Sequence, residues 1–207
     1  MKIICIGKNY VNHAKELGSK IPKEPLFFLK PDSAILPKKH PFFIPDFSKE
    51  IHYELELLIK IKKLGKHIGK KFASSYYSEI GLGIDFTARD LQNECKINGH
   101  PWEKAKAFDH SAVIGSTFYS INNLNEIHFE LKKNGNLVQQ GNANDMVFNF
   151  DDIIHHVSKF MTLKIGDIIF TGTPEGVGPV KIGDYLEGFL NGNKIIDLNI
   201  KLSLIHI

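Results

Sequence analysis

Two glutamates one residue apart, Glu54 and Glu56, lie in the stretch His52-Tyr53-Glu54-Leu55-Glu56-Leu57-Leu58-Ile59. Leucines and a β-branched isoleucine, with polar residues recurring at every second position, predict a β-strand. A period of two turns both carboxylates to one face of a sheet. Side by side on an apolar strand, such charges repel and lose hydration unless a cation lies between them, and hard divalent ions prefer these oxygen donors. The plainer alternative is a solvated outer face, with Leu55 and Leu57 turned to the core.

A third carboxylate, Asp85, ends the apolar run Ile80–Phe86, where a predicted strand gives way to a predicted helix. Thr87, with Asp90 three residues on, is expected to cap that helix, which leaves Asp85 available as a ligand. His13 and Glu16 share a face of a predicted short helix over 11–18, so the carboxylate can orient the imidazole; a surface contact is the ordinary alternative. Arg89 is the only arginine in a chain otherwise served by lysine. A planar, bidentate fork at that one position suits recognition of a carboxylate. The loop Thr171–Pro179 follows a buried strand and can turn backbone N–H groups toward an anion. No Gly-Lys-Ser/Thr follows it, so it is not a phosphate-binding P-loop. Together these groups are consistent with a metal-assisted active site.

The elements that must position them are mostly strands. Met1–Gly7 reads as a first strand rather than a signal-peptide core, and Leu26–Lys30 as a strand closed by Pro31. Residues 32–50, rich in Pro, Lys and Phe, read as an extended loop with short strand pieces, because its aromatics need burial. Phe72–Glu79 looks helical, and Trp102 serves as a loop or core anchor. Hairpin turns are expected at Asn134-Gly135-Asn136 and Asn191-Gly192. Asp151-Asp152 opens an amphipathic helix through Phe160. Lys164-Ile165-Gly166-Asp167 and Lys181-Ile182-Gly183-Asp184 are twin turns, each leading toward a strand. No repeat, low-complexity tract or linker divides the chain, and one β-dominated domain over 1–207 is the expectation.

The chain has 207 residues, 43% hydrophobic and 24% charged, with a net charge of +3, an ordinary composition for a globular protein. No apolar run is long enough to cross a bilayer. Cys5 and Cys95 are the only cysteines, so a disulfide framework and a thiolate metal site are not expected, and a reducing cytoplasm is. The mild basicity falls short of a nucleic-acid interface. The lysines between Lys60 and Lys71 have no aromatics interleaved for base stacking and read as a solvated hairpin end. A non-catalytic binding protein using that patch is the reading from another class.

In order and with similar spacing, several motifs resemble the fumarylacetoacetate hydrolase family, above all its short acylpyruvase and fumarylpyruvate hydrolase members. They are Gly7-Lys8-Asn9-Tyr10 with His13 and Glu16, Phe28-Leu29-Lys30-Pro31, His52–Leu57, Asp85–Gln92, Trp102 with Lys106, and Thr171–Gly178. The resemblance implies a mixed β-rich α+β fold, a β-sandwich roll with a few short helices, as a homodimer. It implies Mg²⁺ or Mn²⁺ held by Glu54, Glu56 and Asp85. The extra N-terminal domain and further aspartate ligand of longer members are not visible here. The small-molecule partner would be an oxo acid, with no nucleic acid and no membrane involved.

The activity so implied is hydrolysis of the C–C bond of acylpyruvates. Oxaloacetate decarboxylation or tautomerisation on the same site is the alternative, and isomerisation or decarboxylation of unsaturated diacids the next. In this scheme the ion supports the enolate that leaves, and His13, oriented by Glu16, takes a proton from water. Lys106 stabilises the oxyanion, while Arg89, Gln92, Thr173 and Lys30 bind the substrate.

Overall fold

The computed structural model describes residues 1–16, 18, 21–121 and 127–202; Leu17, counted in the first predicted helix, lies outside them. Strands form where the apolar runs are. Ile3–Gly7 pairs parallel with Ile168–Phe170 and antiparallel with Leu26–Lys30. Ile168–Phe170 pairs with Leu55–Lys60, and that strand pairs with Glu79–Asp85. Ala112–Ile114 and Tyr119–Ser120 complete a seven-stranded main sheet. A five-stranded sheet runs in the order Asn136–Asn142, His128–Lys133, Tyr185–Leu190, Asn193–Leu202, Phe42–Ile44. Gly178–Pro179, Ile51–Tyr53 and Thr87–Ala88 form a small third sheet. The α-helices among the described residues are Val11–Glu16, Arg89–Asn98, Glu103–Lys106 and Phe150–Phe160. This is the sheet-dominated α+β arrangement expected. No helix among the described residues is long and apolar enough to cross a membrane.

The central strand departs from its sequence reading in one respect. It does not run unbroken from His52, because the chain leaves one sheet at Tyr53 and enters another at Leu55. Its partner makes the same transfer between Asp85 and Thr87. The pairing register nevertheless passes through the bend without a shift. His52 pairs Thr87 and Leu55 pairs Ile84, with the Asp85 N–H donating to the Glu54 carbonyl at 2.8 Å. Glu54 therefore faces Asp85 at the bend, and Glu56 follows two residues along.

The main sheet is covered on both faces, which excludes a solvated outer face for this strand. Leu55, Leu57 and Ile59 join the larger apolar cluster, and Leu58 joins a smaller one with Ile3, Cys5 and Phe170. Strand parity puts Glu56 on the Leu58 side. Opposite it, a Cβ on Gly83 would stand 2.6 Å from the Phe170 ring. Glycine there lets the phenylalanine lie against the sheet beside the carboxylates.

Other local expectations meet mixed outcomes. Both hairpins turn at the Asn-Gly pairs, with positive φ at Asn134, Gly135, Asn191 and Gly192, as type I′ geometry requires. Phe72–Glu79 is not an α-helix; a 3₁₀ segment covers Lys70–Tyr76 and Glu79 begins a strand. The last helix is capped by Asn149, whose side chain accepts from the Asp152 N–H at 3.0 Å.

The twin turns owe their shape to their aspartates. Asp167 Oδ2 accepts the Lys164 N–H at 2.7 Å, and Asp184 Oδ2 accepts the Lys181 N–H at 2.8 Å. Asp167 also takes the Lys2 N–H at 2.8 Å and the Lys2 ammonium. Burial would raise the Asp167 carboxyl, but the Lys2 ammonium and the backbone donors outweigh it and hold it below its usual value. A depressed carboxyl stabilises the fold above its unfolded pKa and loses that contribution as pH falls through the folded value. Asp167→Asn is expected to cost about 1.5–3 kcal/mol at neutral pH. The gap to wild type in urea midpoint should close as acid protonates the native carboxylate, and a pH-independent gap would contradict this account.

Candidate active site

Glu54, Glu56 and Asp85 are 5%, 2% and 1% exposed, and one oxygen from each lies within 4.8 Å of the others. Buried carboxylates at this separation need positive charge. The Lys106 ammonium donates to Glu54 Oε2 and Asp85 Oδ2, both at 2.8 Å, and to Thr87 Oγ1 at 2.6 Å. Arg89 Nη2 donates to Glu54 Oε1 at 2.5 Å. Lys30 Nζ is 2.7 Å from Asp85 Oδ1, an ion pair whose direction misses hydrogen-bond geometry and leaves that buried oxygen without a hydrogen bond.

The two glutamates are thereby driven apart in acidity. Burial alone would raise Glu54, but the Lys106 ammonium and then the Arg89 guanidinium hold it well below the ordinary range. For Glu56, burial comes first, and the charges of Asp85 and Glu54 push it further, well above that range. Its one hydrogen bond to the protein among the described residues is accepted from the Gly172 N–H at 2.7 Å. An all-oxygen donor set, and a carboxyl whose ionisation is opposed by burial and by two neighbouring carboxylates, both fit Mg²⁺ or Mn²⁺. Glu54, Glu56 and Asp85 are the residues that would hold the ion.

The loop after Ile168–Phe170 does present N–H groups to anions, and the anions are the protein's own side chains. Gly172 donates to Glu56, and Gly176 donates to Glu16 Oε1 at 3.1 Å. At φ +101° a Cβ on Gly172 would also stand 2.7 Å from the Asn9 Cβ, so that turn depends on glycine. Asn9 ties the region together. Its amide donates to the Thr171 and Phe148 carbonyls at 2.8 and 2.9 Å, and its oxygen accepts the Phe148 N–H at 2.8 Å. His13 is 4% exposed, and its Nδ1 lies 3.1 Å from Glu16 Oε2. The carboxylate thus leaves Nε2 for the cavity.

One cavity gathers His13, Glu54, Glu56, Asp85, Gln92, Lys106 and Thr173, with Phe28, Trp102, Lys8 and Lys96 completing much of its wall. Arg89 and Lys30 stand behind that wall. Arg89 is occupied by Glu54, by Gln92 Oε1 at 2.6 Å and by His52 Nδ1 at 3.4 Å. Because the Gln92 oxygen accepts from Arg89, its NH₂ is the end left for the cavity. Lys30, 2% exposed, donates to the Lys106 and Phe86 carbonyls and to Ser111 besides pairing with Asp85.

Thr87 does not cap the helix after it. The N-cap is Ala88, without a side-chain bond, while Thr87 serves Lys106 and Asp90 accepts from Ser48 and the Lys49 N–H. Tertiary donors nearby outcompete the local capping box. Sequence reasoning passed over Gln139, whose oxygen accepts the Leu55 N–H at 2.9 Å and whose amide donates to Thr173 Oγ1 at 2.8 Å. No spacing signal marks it, since its partners lie across the fold.

Comparisons with known proteins identify the family. Residues 2–202 match the family described as Fumarylacetoacetate (FAA) hydrolase C-terminal. The chain is 42% identical over 193 residues to the Bos taurus protein named oxaloacetate tautomerase FAHD1, mitochondrial, covering 92% of this chain and 87% of that one. It is 42% identical over 194 residues to the Dictyostelium discoideum oxaloacetate decarboxylase, mitochondrial, covering 92% and 89%. Fumarylpyruvate hydrolase from Pseudomonas aeruginosa, solved with Mn²⁺ and pyruvate, superposes with a TM-score of 0.90 at 32% identity, covering 98% of this chain and 90% of that one. With its motifs in order, its fold shared and its buried carboxylates gathered at one bend, the chain belongs to the fumarylacetoacetate hydrolase family.

Proposed function

We propose that this protein is a divalent-metal-dependent enzyme that takes oxaloacetate through its 2-enol or 2-enolate, as a tautomerase or decarboxylase. The observation that carries the reading is the buried group of Glu54, Glu56 and Asp85 opening into a cavity lined by His13, Gln92, Lys106 and Thr173. Relatives named for oxaloacetate tautomerisation and decarboxylation, each 42% identical, support the choice of substrate. A bound Mg²⁺ or Mn²⁺ would supply Lewis-acid stabilisation of negative charge on the 2-oxo oxygen.

The chain's own residues do the rest. The Gln92 amide and the Thr173 hydroxyl orient the substrate's carboxylate, with Arg89 and Gln139 fixing those two groups from behind. Lys106 offers an ammonium N–H to the developing oxyanion. The hydroxyl of Thr87, a neutral acceptor, is the partner it gives up at least cost. In tautomerisation His13 Nε2 carries the proton between C3 and the 2-oxo oxygen. In decarboxylation the C3–C4 bond breaks, CO₂ leaves, and C3 of the resulting enolate takes a proton from water by way of His13 Nε2.

A second reading, hydrolysis of acylpyruvates, is favoured by the His13–Glu16 pair, since a base held by a carboxylate can activate water. Water would then add to the distal carbonyl, and the C3–C4 bond would break to pyruvate enolate and a carboxylic acid. One experiment separates these. Purified protein with Mg²⁺ is given enol-oxaloacetate, keto-oxaloacetate and acetylpyruvate, with enol absorbance and pyruvate release followed together. Loss of the enol band without pyruvate identifies a tautomerase, and with pyruvate and CO₂ a decarboxylase. Acetylpyruvate cleavage alone would replace the first reading by the second. No acceleration over Mg²⁺ alone on any of the three would overturn both.

A further inference from the structure

The cations around the carboxylate group are paired, whereas those at the cavity mouth are not. Lys106, Arg89 and Lys30 are each paired with Glu54 or Asp85. Lys8 and Lys96 line the same cavity, and among the described residues neither has an ion pair. Their neighbour Lys104, by contrast, is paired with Glu94 at 2.8 Å. Lys96 follows Gln92 by four residues on the helix Arg89–Asn98, so the two share a face about 6 Å apart along the axis. Gln92 is buried and Lys96 exposed, which places one at the inner end of the cavity and the other at its opening.

The lysine head lies 6.0 Å from the centroid of Trp102, which itself packs edge-on against Phe28 at 6.0 Å. An apolar floor of this kind strengthens charge interactions above it. Lys8 holds a positive φ of 59°, uncommon for a residue with a side chain. Although Lys96 is exposed as a whole, the protein crowding its ammonium, then the charges of Arg89 and Lys8, hold that group below its ordinary pKa. The mouth is thus a place where an anion relieves a standing repulsion.

We propose that Lys96, helped by Lys8, is the counter-charge for the distal carboxylate of a dianionic 2-oxo acid, and so sets the preference for two-carboxylate over one-carboxylate substrates. The inference rests on the 2-oxo acid reading above and adds a specificity residue to it. The distal carboxylate meets the lysines while the head group meets Gln92 and Thr173. A substrate ending in a methyl group gains nothing from them.

The test uses Mg²⁺-loaded protein and calorimetric titration with pyruvate, which carries only the head group, and with 3,3-difluorooxaloacetate, a dianion that cannot enolise. Wild type should bind the dianion more tightly than pyruvate. Lys96→Gln should cut that advantage about tenfold, the scale of one charge-assisted contact; Lys8→Gln should cut it in the same direction, and Lys96→Arg should restore it. With oxaloacetate as substrate the loss should fall on KM rather than kcat. An advantage equal in wild type and Lys96→Gln overturns the inference and leaves the 2-oxo acid reading standing. Failure of both ligands to bind wild type overturns the reading and the inference together.

Discussion

Glu56→Gln should lower metal-supported turnover by about 10³-fold or more, since Lewis-acid stabilisation is worth several kcal/mol. It should do so while making the metal-free protein more stable. Without a cation, burial and the charges of Asp85 and Glu54 hold the Glu56 carboxyl well above its usual pKa. Between the unfolded value, about 4.3, and that raised native value, the folded state binds more protons than the unfolded chain. Stability therefore falls as pH rises through this window. Glutamine has no proton to lose and escapes the penalty. In chelator, urea midpoints of variant and wild type should be similar at about pH 5 and favour the variant at about pH 8. Saturating Mg²⁺ should reverse the order by stabilising only the wild type. A variant less stable than wild type in chelator at the higher pH would show that Glu56 is comfortably ionised without metal.

The sequence makes that carboxylate group legible because strand parity needs only spacing. Glu54 and Glu56 share a face for any strand containing them, and Asp85 ends a second apolar run. The sheet-to-sheet bend at Glu54 was hidden, because period-two reasoning carries a strand through any residue that keeps the alternation. Thr87 misled for a related reason: its spacing to Asp90 is that of a capping box, and only the folded protein brings up Lys106 and Ser48 to claim the two side chains. Depth was equally illegible. Motif resemblance placed Arg89 and Lys30 at the site, but whether a cation faces the cavity or braces a ligand from behind depends on packing. Asn9 and Gln139 join residues more than 80 positions away in sequence, and nothing local announces such partners.

Lys106→Met is expected to have the second large effect, in the opposite sense for stability. Taking away one member of a buried ion group costs about 3–5 kcal/mol, because the remaining charges stay desolvated. Glu54 keeps Arg89 and Asp85 keeps Lys30, so the lower end of that range applies. In chelator the urea midpoint should drop accordingly. Mg²⁺ should recover much of the loss, since a cation meets the same stranded oxygens; at about 100 times its Kd a ligand contributes about 2.7 kcal/mol. Turnover should not recover with it, because loss of one oxyanion donor costs about 2.7–4 kcal/mol in the transition state. Thr87→Val serves as the control, removing only the neutral acceptor of that ammonium. If Lys106→Met and Thr87→Val unfold at the same urea concentration without metal, the ammonium is not what holds the carboxylates together.

The unshifted pairing through the bend bears on how such a protein can change over generations. Deleting one residue on either side of Glu54 or Asp85 would exchange the two faces of everything beyond it, sending a ligand into the oily layer and a leucine into the cavity. Only double deletions, or matched ones in both partners, leave the facing pair opposed. Length variation should therefore collect in the surface connections, while these two adjoining ribbons keep a fixed count.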